Sequence, residues 1–310
     1  KTTDPLVSII VIVYNSSNYI LETLESIRSQ SYKNIELIIS DDCSTDNTLD
    51  VCKKWISDNP NFHTKICTTE KNTGISGNIN RGVKIATGEW IKLLSGDDLL
   101  FEDSIERFLS FVSSNGVEVC VSRMHFFGDL KNVEFKRKHY DEFYDVFSEL
   151  SVKQKFKLLL KECTLPMPGL FISKKLFESI GYINEDYPFA EEWPTFLTIL
   201  KKEIDIPYFN EELIKYRCAE NSLSSEKTGN NGFKLNYVVF KDTYKFFINI
   251  RRPLMFKNFF FLSLVDQTIS YYIMQKQYFP ISKFNALFFS FLKFFSPLSY
   301  VRFFKRMVKR

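Results

Sequence analysis

Hydrophobic and polar positions over the first hundred residues fall into a regular alternation. Leu6 to Val13 is a near-continuous β-branched and apolar run, the pattern of a strand buried on both faces of a parallel sheet. It ends at the polar turn Tyr14-Asn15-Ser16-Ser17-Asn18, after which Ile20, Leu21, Leu24 and Ile27 recur at helical spacing. Ile35 to Ile39 predicts a second strand, closed by Ser40-Asp41-Asp42-Cys43-Ser44-Thr45-Asp46-Asn47-Thr48. A helix from about Thr48 to Ser57 and a short strand from Thr64 to Thr68 follow. Asn72-Thr73-Gly74-Ile75-Ser76-Gly77-Asn78 is a glycine-containing loop that leads into a helix through Ile79, Val83 and Ala86, with Gly88 placed to end it. The fourth strand, Trp90 to Leu94, stops abruptly at Ser95-Gly96-Asp97-Asp98. Such alternation predicts a right-handed α/β unit with a parallel sheet. Polar clusters at the ends of strands one, two and four then share the edge where open α/β sheets bind ligands.

Beyond residue 100 the pattern loosens. A helix around Ser104 to Ser113 and a strand at Val117 to Ser122 extend the sheet, whereas Phe126 to Tyr144 is charged, aromatic and irregular and reads as a loop or insertion. Val152 to Glu162 reads as helix, Leu165-Pro166-Met167-Pro168-Gly169 as a break, Leu170 to Ile172 as a short strand and Lys175 to Ile180 as a short helix ended by Gly181. Glu191-Glu192-Trp193-Pro194 precedes a helix that buries Phe196, Leu197, Ile199 and Leu200, and Ile206 to Phe209 and Leu213 to Tyr216 read as two further strands. From Asn231 onward the chain turns to long Phe- and Lys-rich helical stretches, about 235–250, 254–277 and 281–309, split by Pro253 and Pro280, with Pro297 kinking the last.

Composition changes this picture mainly at that end. Over 310 residues, 45% hydrophobic and 25% charged content is that of an ordinary globular protein. The net charge of +4 is unevenly spread: no acidic residue follows Asp266, while Lys276, Lys283, Lys293, Arg302, Lys305, Arg306, Lys309 and Arg310 do. Basic residues interleaved with Phe284, Phe288, Phe291, Phe294, Phe295, Phe303 and Phe304 fit an interfacial membrane helix. They fit equally a helix packed on the rest of the chain or on a second subunit; the missing acids favour an anionic leaflet. No charge-free apolar run reaches the roughly 18 residues that span a bilayer, and no signal-peptide core opens the chain, so the expectation is a protein that is cytosolic or rests on a membrane without crossing it. Six scattered cysteines without a C-x-x-C pair, and three histidines without ligand spacing, argue against a disulfide frame or a zinc site.

The chemistry centres on Asp97 and Asp98. Adjacent carboxylates repel, so the pair is comfortable only when solvated, as in an ordinary turn, or against a hard cation such as Mg²⁺ or Mn²⁺. Set together in this order and spacing, Val13-Tyr14-Asn15, Asp41-Asp42-Cys43-Ser44-Thr45-Asp46, Asn72-x-Gly74, Ser95-Gly96-Asp97-Asp98 and Glu191-Glu192 resemble the family 2 glycosyltransferases of GT-A fold. The resemblance is strong across residues 6–100 and looser to about 225.

What the resemblance implies is an α/β GT-A nucleotide-sugar-binding fold with a mostly parallel central sheet. Residues 1–228 would form the transferase domain, 6–100 its nucleotide half and 101–228 its acceptor half, followed by a C-terminal helical, Phe/Lys-rich region over 229–310. It implies inverting transfer of one sugar from a UDP-sugar, with Mn²⁺ or Mg²⁺, to a saccharide hydroxyl. Asp98 and Asp97 match the D-x-D region, one acid on metal and its neighbour in reach of the ribose; Asp42 matches the acceptor of the uracil N–H and Tyr14 the residue packed on the base. Asn15, Asn72 and Gly74 belong to the nucleotide-sugar-binding loops, Glu192 takes the position of the base with Glu191 beside it, and Trp193 is placed as an acceptor wall, core packing being an equal alternative. Two departures stand out: Ser95 occupies the first acid of the usual D-x-D-D, and Ala219 the place of a histidine near the diphosphate, for which Arg217 is the available substitute. Without a Q-x-x-R-W motif, single-sugar addition is expected rather than processive synthesis. The basic tail suggests a lipid-linked acceptor, as in O-antigen or capsule assembly, at the cytoplasmic face of the membrane, with possible self-association through the C-terminal helices. A nucleotidyltransferase is disfavoured because no Gly-rich basic loop follows strand one; a dinucleotide oxidoreductase lacks its G-x-G-x-x-G. A non-enzymatic membrane-surface or nucleic-acid binder remains the other class, and a phenylalanine stripe offers little for base readout.

Overall fold

The computed structural model describes residues 4–160 and 165–218, with the isolated positions 245 and 249; all but those two lie in one compact unit, Lys1–Ser225. The expected amphipathic helices of 229–310 lie outside the described residues. Among the described residues no helix is long and apolar enough to cross a membrane.

Over residues 6–95 strands and helices alternate as the periodicity predicts, except that the third helix begins at Gly74, inside the stretch expected to be a loop. Strands β1 (Val7–Val13), β2 (Ile35–Asp41), β3 (Thr64–Cys67) and β4 (Trp90–Ser95) alternate with helices α1 (Ile20–Arg28), α2 (Thr48–Asp58) and α3 (Gly74–Ile85). β1 lies between β2 and β4, parallel to both, and β2 pairs in parallel with β3. Ile9, Ile10, Leu37, Ile38 and Ile39 are fully buried, as expected of strands covered on both faces. The second half adds β5 (Leu99–Leu100), α4 (Ser104–Asn115), β6 (Val119–Gly128), α5 (Leu130–Ser148), α6 (Val152–Leu159), a 3-10 turn at Met167–Gly169, β7 (Leu170–Ser173), α7 (Lys174–Ser179), α8 (Glu192–Lys201) and β8 (Tyr208–Cys218).

The sheet order is β3-β2-β1-β4-β7-β6-β8-β5. β7 runs antiparallel to both β4 and β6, so β6 points the same way as β4, and β8 runs parallel to β6. The carboxyl ends of β1, β2, β4, β6 and β8 therefore open on one edge. Phe171 of β7 joins the two halves of the core, stacked on Trp90 at 5.0 Å and on Phe108 at 4.9 Å.

Two expectations are corrected, and one short strand is added. The stretch 126–144 is not an irregular loop: β6 continues to Gly128 and α5 follows directly. Its inward stripe (Val133, Tyr140, Phe143, Tyr144, Phe147) is aromatic and broken by charge, which hid the helical period. The two strands predicted at 206–216 are one, β8, because the polar Asn210-Glu211-Glu212 forms a bulge in β8 opposite Ser122 and Arg123 of β6 instead of a turn. β5, only two residues long, was not predicted.

Candidate active site

Tyr14 ends β1 on the open edge and is half exposed. Asn15 follows in the left-handed region, at a φ of 52°. There its Oδ1 accepts the Thr45 N–H at 2.8 Å and its own N–H goes to Ser44 Oγ at 2.9 Å. The loop after β1 is thus bolted to the loop after β2, and the Asp42 N–H donating to the Val13 carbonyl at 3.0 Å tightens the join.

Asp42 is buried and heavily engaged. One oxygen accepts from the Thr73 hydroxyl (2.6 Å) and from Arg81 (3.0 Å), the other from Gly74 N–H (2.8 Å), and the Thr73 N–H lies within 3.0 Å of both. The Asn72 side chain also accepts the Gly74 N–H, at 3.0 Å. A glycine is required at this position. Gly74 has a φ of +80°, and a Cβ there would come within 2.6 Å of Pro188. Arg81 escaped the sequence reading, since an arginine on a helix normally reads as solvated; it also donates to the Asp41 carbonyl at 3.1 Å.

The contact with Pro188 belongs to a larger seam. From α3, Ser76 Oγ donates to the Tyr187 carbonyl (2.6 Å) and its N–H to Pro188 (3.2 Å), while the Asn80 amide bridges both backbone groups of Ile183. These bonds hold the segment that delivers Glu191 and Glu192 to the start of α8. Glu191 is nearly buried and Glu192 partly so; burial raises the Glu192 carboxyl above the usual carboxylate range. Trp193, proposed as an acceptor wall, is partly buried and gives its indole N–H to the Leu159 carbonyl.

Asp97 and Asp98 follow the turn at Gly96, packed so closely on the end of β1 that a Cβ there would lie 2.7 Å from Val13 Cγ1. Asp98 is 1% exposed; one oxygen accepts the Arg217 N–H at 2.9 Å, and the other is buried with no hydrogen-bond partner among the described residues. Burial, and then the charge of Asp97, push its carboxyl well above the usual range; burial also raises Asp97, against the pull of Arg217 and Lys136. An orphaned buried carboxylate oxygen beside a second acid fits a hard divalent cation. Among the described residues no group of three metal-ligating side chains occurs, so two carboxylates would leave the other positions to phosphate and water, as Mg²⁺ and Mn²⁺ prefer.

Arg217 closes this end. Its Nε donates to the Asp97 carbonyl at 2.9 Å and one terminal nitrogen to Glu22 at 2.8 Å, and its guanidinium lies between the rings of Tyr19 (4.7 Å) and Phe127 (4.6 Å). β8 thereby brings Arg217 directly to the acid pair, a juxtaposition the spacing of 119 residues conceals. Lys136 of α5 is close enough for the same two acids to hold its pKa up against burial, and no sequence pattern marks it.

Comparison with known proteins agrees with this architecture. The model for glycosyl transferase family 2 matches residues 8–181. An uncharacterized glycosyltransferase of Rickettsia typhi is 31% identical over 221 residues, 70% of this chain and 65% of that protein. The candidate teichuronic acid biosynthesis glycosyltransferase TuaG of Bacillus subtilis is 29% identical over 72% of this chain and 83% of its own length. In fold, the chain is similar to TarS of S. aureus, solved with UDP-GlcNAc (TM-score 0.56, 17% identity, 86% of this chain and 80% of that one). It is similar also to the mannosyltransferase PcManGT of Pyrobaculum calidifontis, solved with GDP-Man and Mn²⁺ (TM-score 0.56, 18% identity, 81% and 65%). The chain spans 65% of the Rickettsia relative and 32% of the glycosyltransferase GlyA of Streptococcus pneumoniae.

Proposed function

The chain belongs to glycosyl transferase family 2, and we propose that it moves one sugar, with inversion, from a UDP-sugar to a hydroxyl of a saccharide acceptor in surface-polysaccharide synthesis. The observation that carries the reading is Asp98: a buried carboxylate with an orphaned oxygen, beside a second acid, on the edge that also carries Tyr14 and Asp42.

In this reading the exposed ring of Tyr14 packs on the base, and Asp42 receives the uracil N–H, one of the Thr73 bonds yielding to it. Asn15, Asn72 and Gly74 shape that pocket through the bonds they make between loops. Asp98 with Asp97 would hold Mn²⁺ or Mg²⁺, whose chemistry when bound is to neutralise charge growing on the diphosphate. Arg217, fixed between two rings, presents positive charge to the same group. Glu192, with Glu191 at its side, takes the proton of the acceptor hydroxyl as the oxygen attacks the anomeric carbon opposite the diphosphate; a raised carboxyl pKa suits a base. Trp193 flanks that position.

Residues 1–228 would make up the transferase domain, with 6–100 as nucleotide half and 101–228 as acceptor half. The Phe- and Lys-rich 229–310 supports a peripheral membrane contact on the cytoplasmic face and a lipid-diphosphate-linked acceptor, with self-association as the other use of that region. Turnover of a panel of UDP- and GDP-sugars with Mn²⁺ is the test. Full transfer by both Asp98→Ala and Glu192→Ala would sink the site assignment. A chain truncated after about residue 250 that still sediments with anionic vesicles as well as the whole chain would sink the tail's role.

A further inference from the structure

Helix α5 leaves the carboxyl end of β6 on the site edge, tied there by the Asp129 N–H donating to the Cys218 carbonyl at 2.9 Å. Lys136 stands on the inward stripe of this helix, one turn after Val133 and one turn before Tyr140, where an apolar side chain is expected. Its ammonium lies over the Tyr216 ring, 4.5 Å from the centroid, and 3.4 Å from the Tyr216 hydroxyl. Tyr216 directly precedes Arg217, whose backbone N–H holds Asp98, so Lys136 is brought against the piece of β8 that lines the acid pair. Burial pulls the ammonium's pKa down, and the neighbouring Asp98 and Asp97 work against that pull.

Charge balance says what this cation is for. Two carboxylates offset one divalent ion, and Glu22 already faces Arg217. A departing nucleoside diphosphate would then bring more negative charge than Arg217, partnered by Glu22, can offset. Arg217 is clamped by two rings, the Asp97 carbonyl and Glu22, whereas lysine carries a compact charge on a flexible four-carbon stem and can follow a phosphate. We infer that Lys136 is a contact for the diphosphate of the nucleotide donor, delivered by helix α5 to the Asp97–Asp98 end of the site. The inference rests on the nucleotide-sugar reading above.

The test is calorimetric binding of UDP and UMP to the full chain with Mn²⁺, for the wild type, Lys136→Met and Lys136→Arg, with GDP and GMP run alongside. The advantage of UDP over UMP should shrink about tenfold in Lys136→Met, the scale of one charge-assisted hydrogen bond, with UMP affinity held within about twofold. Lys136→Arg should keep most of that advantage. A Lys136→Met chain that retains the full advantage would overturn the inference. So would equal weakening of both nucleotides, which marks a packing role for the side chain. A wild type that binds neither UDP nor GDP would overturn the donor reading itself, and this contact with it.

Discussion

Glu36 and Asp98 sit near opposite edges of one sheet, both out of solvent, and their surroundings treat a negative charge in opposite ways. At the amino edge, burial alone would raise the Glu36 carboxyl. Ser8, the backbone and side chain of Thr87, and Lys65 more than offset it and bring the pKa down to about 2, with Gly88 N–H donating as well. At the carboxyl edge Asp98 has one backbone donor, a like charge as its neighbour and an oxygen with no hydrogen-bond partner among the described residues. The first arrangement spends a charge on stability. The second carries an unmet charge, the condition of a site that awaits a ligand.

The sharpest way to break this contrast is at the acids of the proposed chemistry. Glu192→Gln should lower transfer by about 10²–10⁴, the usual worth of a general base, and leave UDP affinity within about twofold. In the wild type, transfer should fall as pH drops through the Glu192 pKa, and that acid limb should lie above the normal carboxylate range because burial raises the group. Loss of UDP affinity together with rate would assign Glu192 to donor binding instead. Asp98→Asn should cost roughly a hundredfold or more in transfer, since charge stabilisation at the leaving group is lost.

Stability should move the other way at the two edges. Glu36 has a folded pKa of about 2 against 4.5 unfolded, so its contribution is present above pH 4.5 and lost as pH falls through about 2. Glu36→Gln should therefore destabilise at pH 7 by about 3 kcal/mol, roughly 6–12 °C in Tm, with the gap to wild type closing in acid. Asp98 has the opposite sign: its folded pKa lies above the unfolded 3.8, so stability declines as pH rises through that interval. In EDTA, Asp98→Asn should raise Tm by a few degrees, about 1 kcal/mol, since asparagine keeps an acceptor for the Arg217 N–H without the repelled charge. A fall in Tm would mean that the burden assigned to Asp98 is absent.

How much of this was legible in the sequence follows from where its periodicity was clean. Residues 9–13 of β1 and 37–39 of β2 are apolar on both faces, so strand, parallel pairing and edge could all be inferred before any coordinates. Tyr14, Asp42 and Asp97–Asp98 end such strands, which made them visible. Helix α5 was not legible because Lys136 and aromatic rings occupy its inward stripe, and a reading that expects aliphatics there finds no period. Missing the helix meant missing the lysine. Arg81 was hidden for another reason: its partners, Asp42 and Thr73, come from two other loops, and no spacing encodes a three-way meeting. Ser95 could be named as a departure but not interpreted, because what surrounds the acid pair depends on β8 crossing back to it, and Ala219 lies outside the described residues.

The abutment of Gly74 on Pro188 has a bearing on fidelity. The loop that Asp42 holds and the segment that ends at Glu192 share a van der Waals contact and the seam of α3 bonds, so a shift of one is felt by the other. A nucleotide that seats badly on the loop would displace the acids, and misplacement of about an ångström at a reacting group costs on the order of a hundredfold in rate. Discrimination between donors would then show in turnover number more than in affinity, as a wrong substrate held but not used.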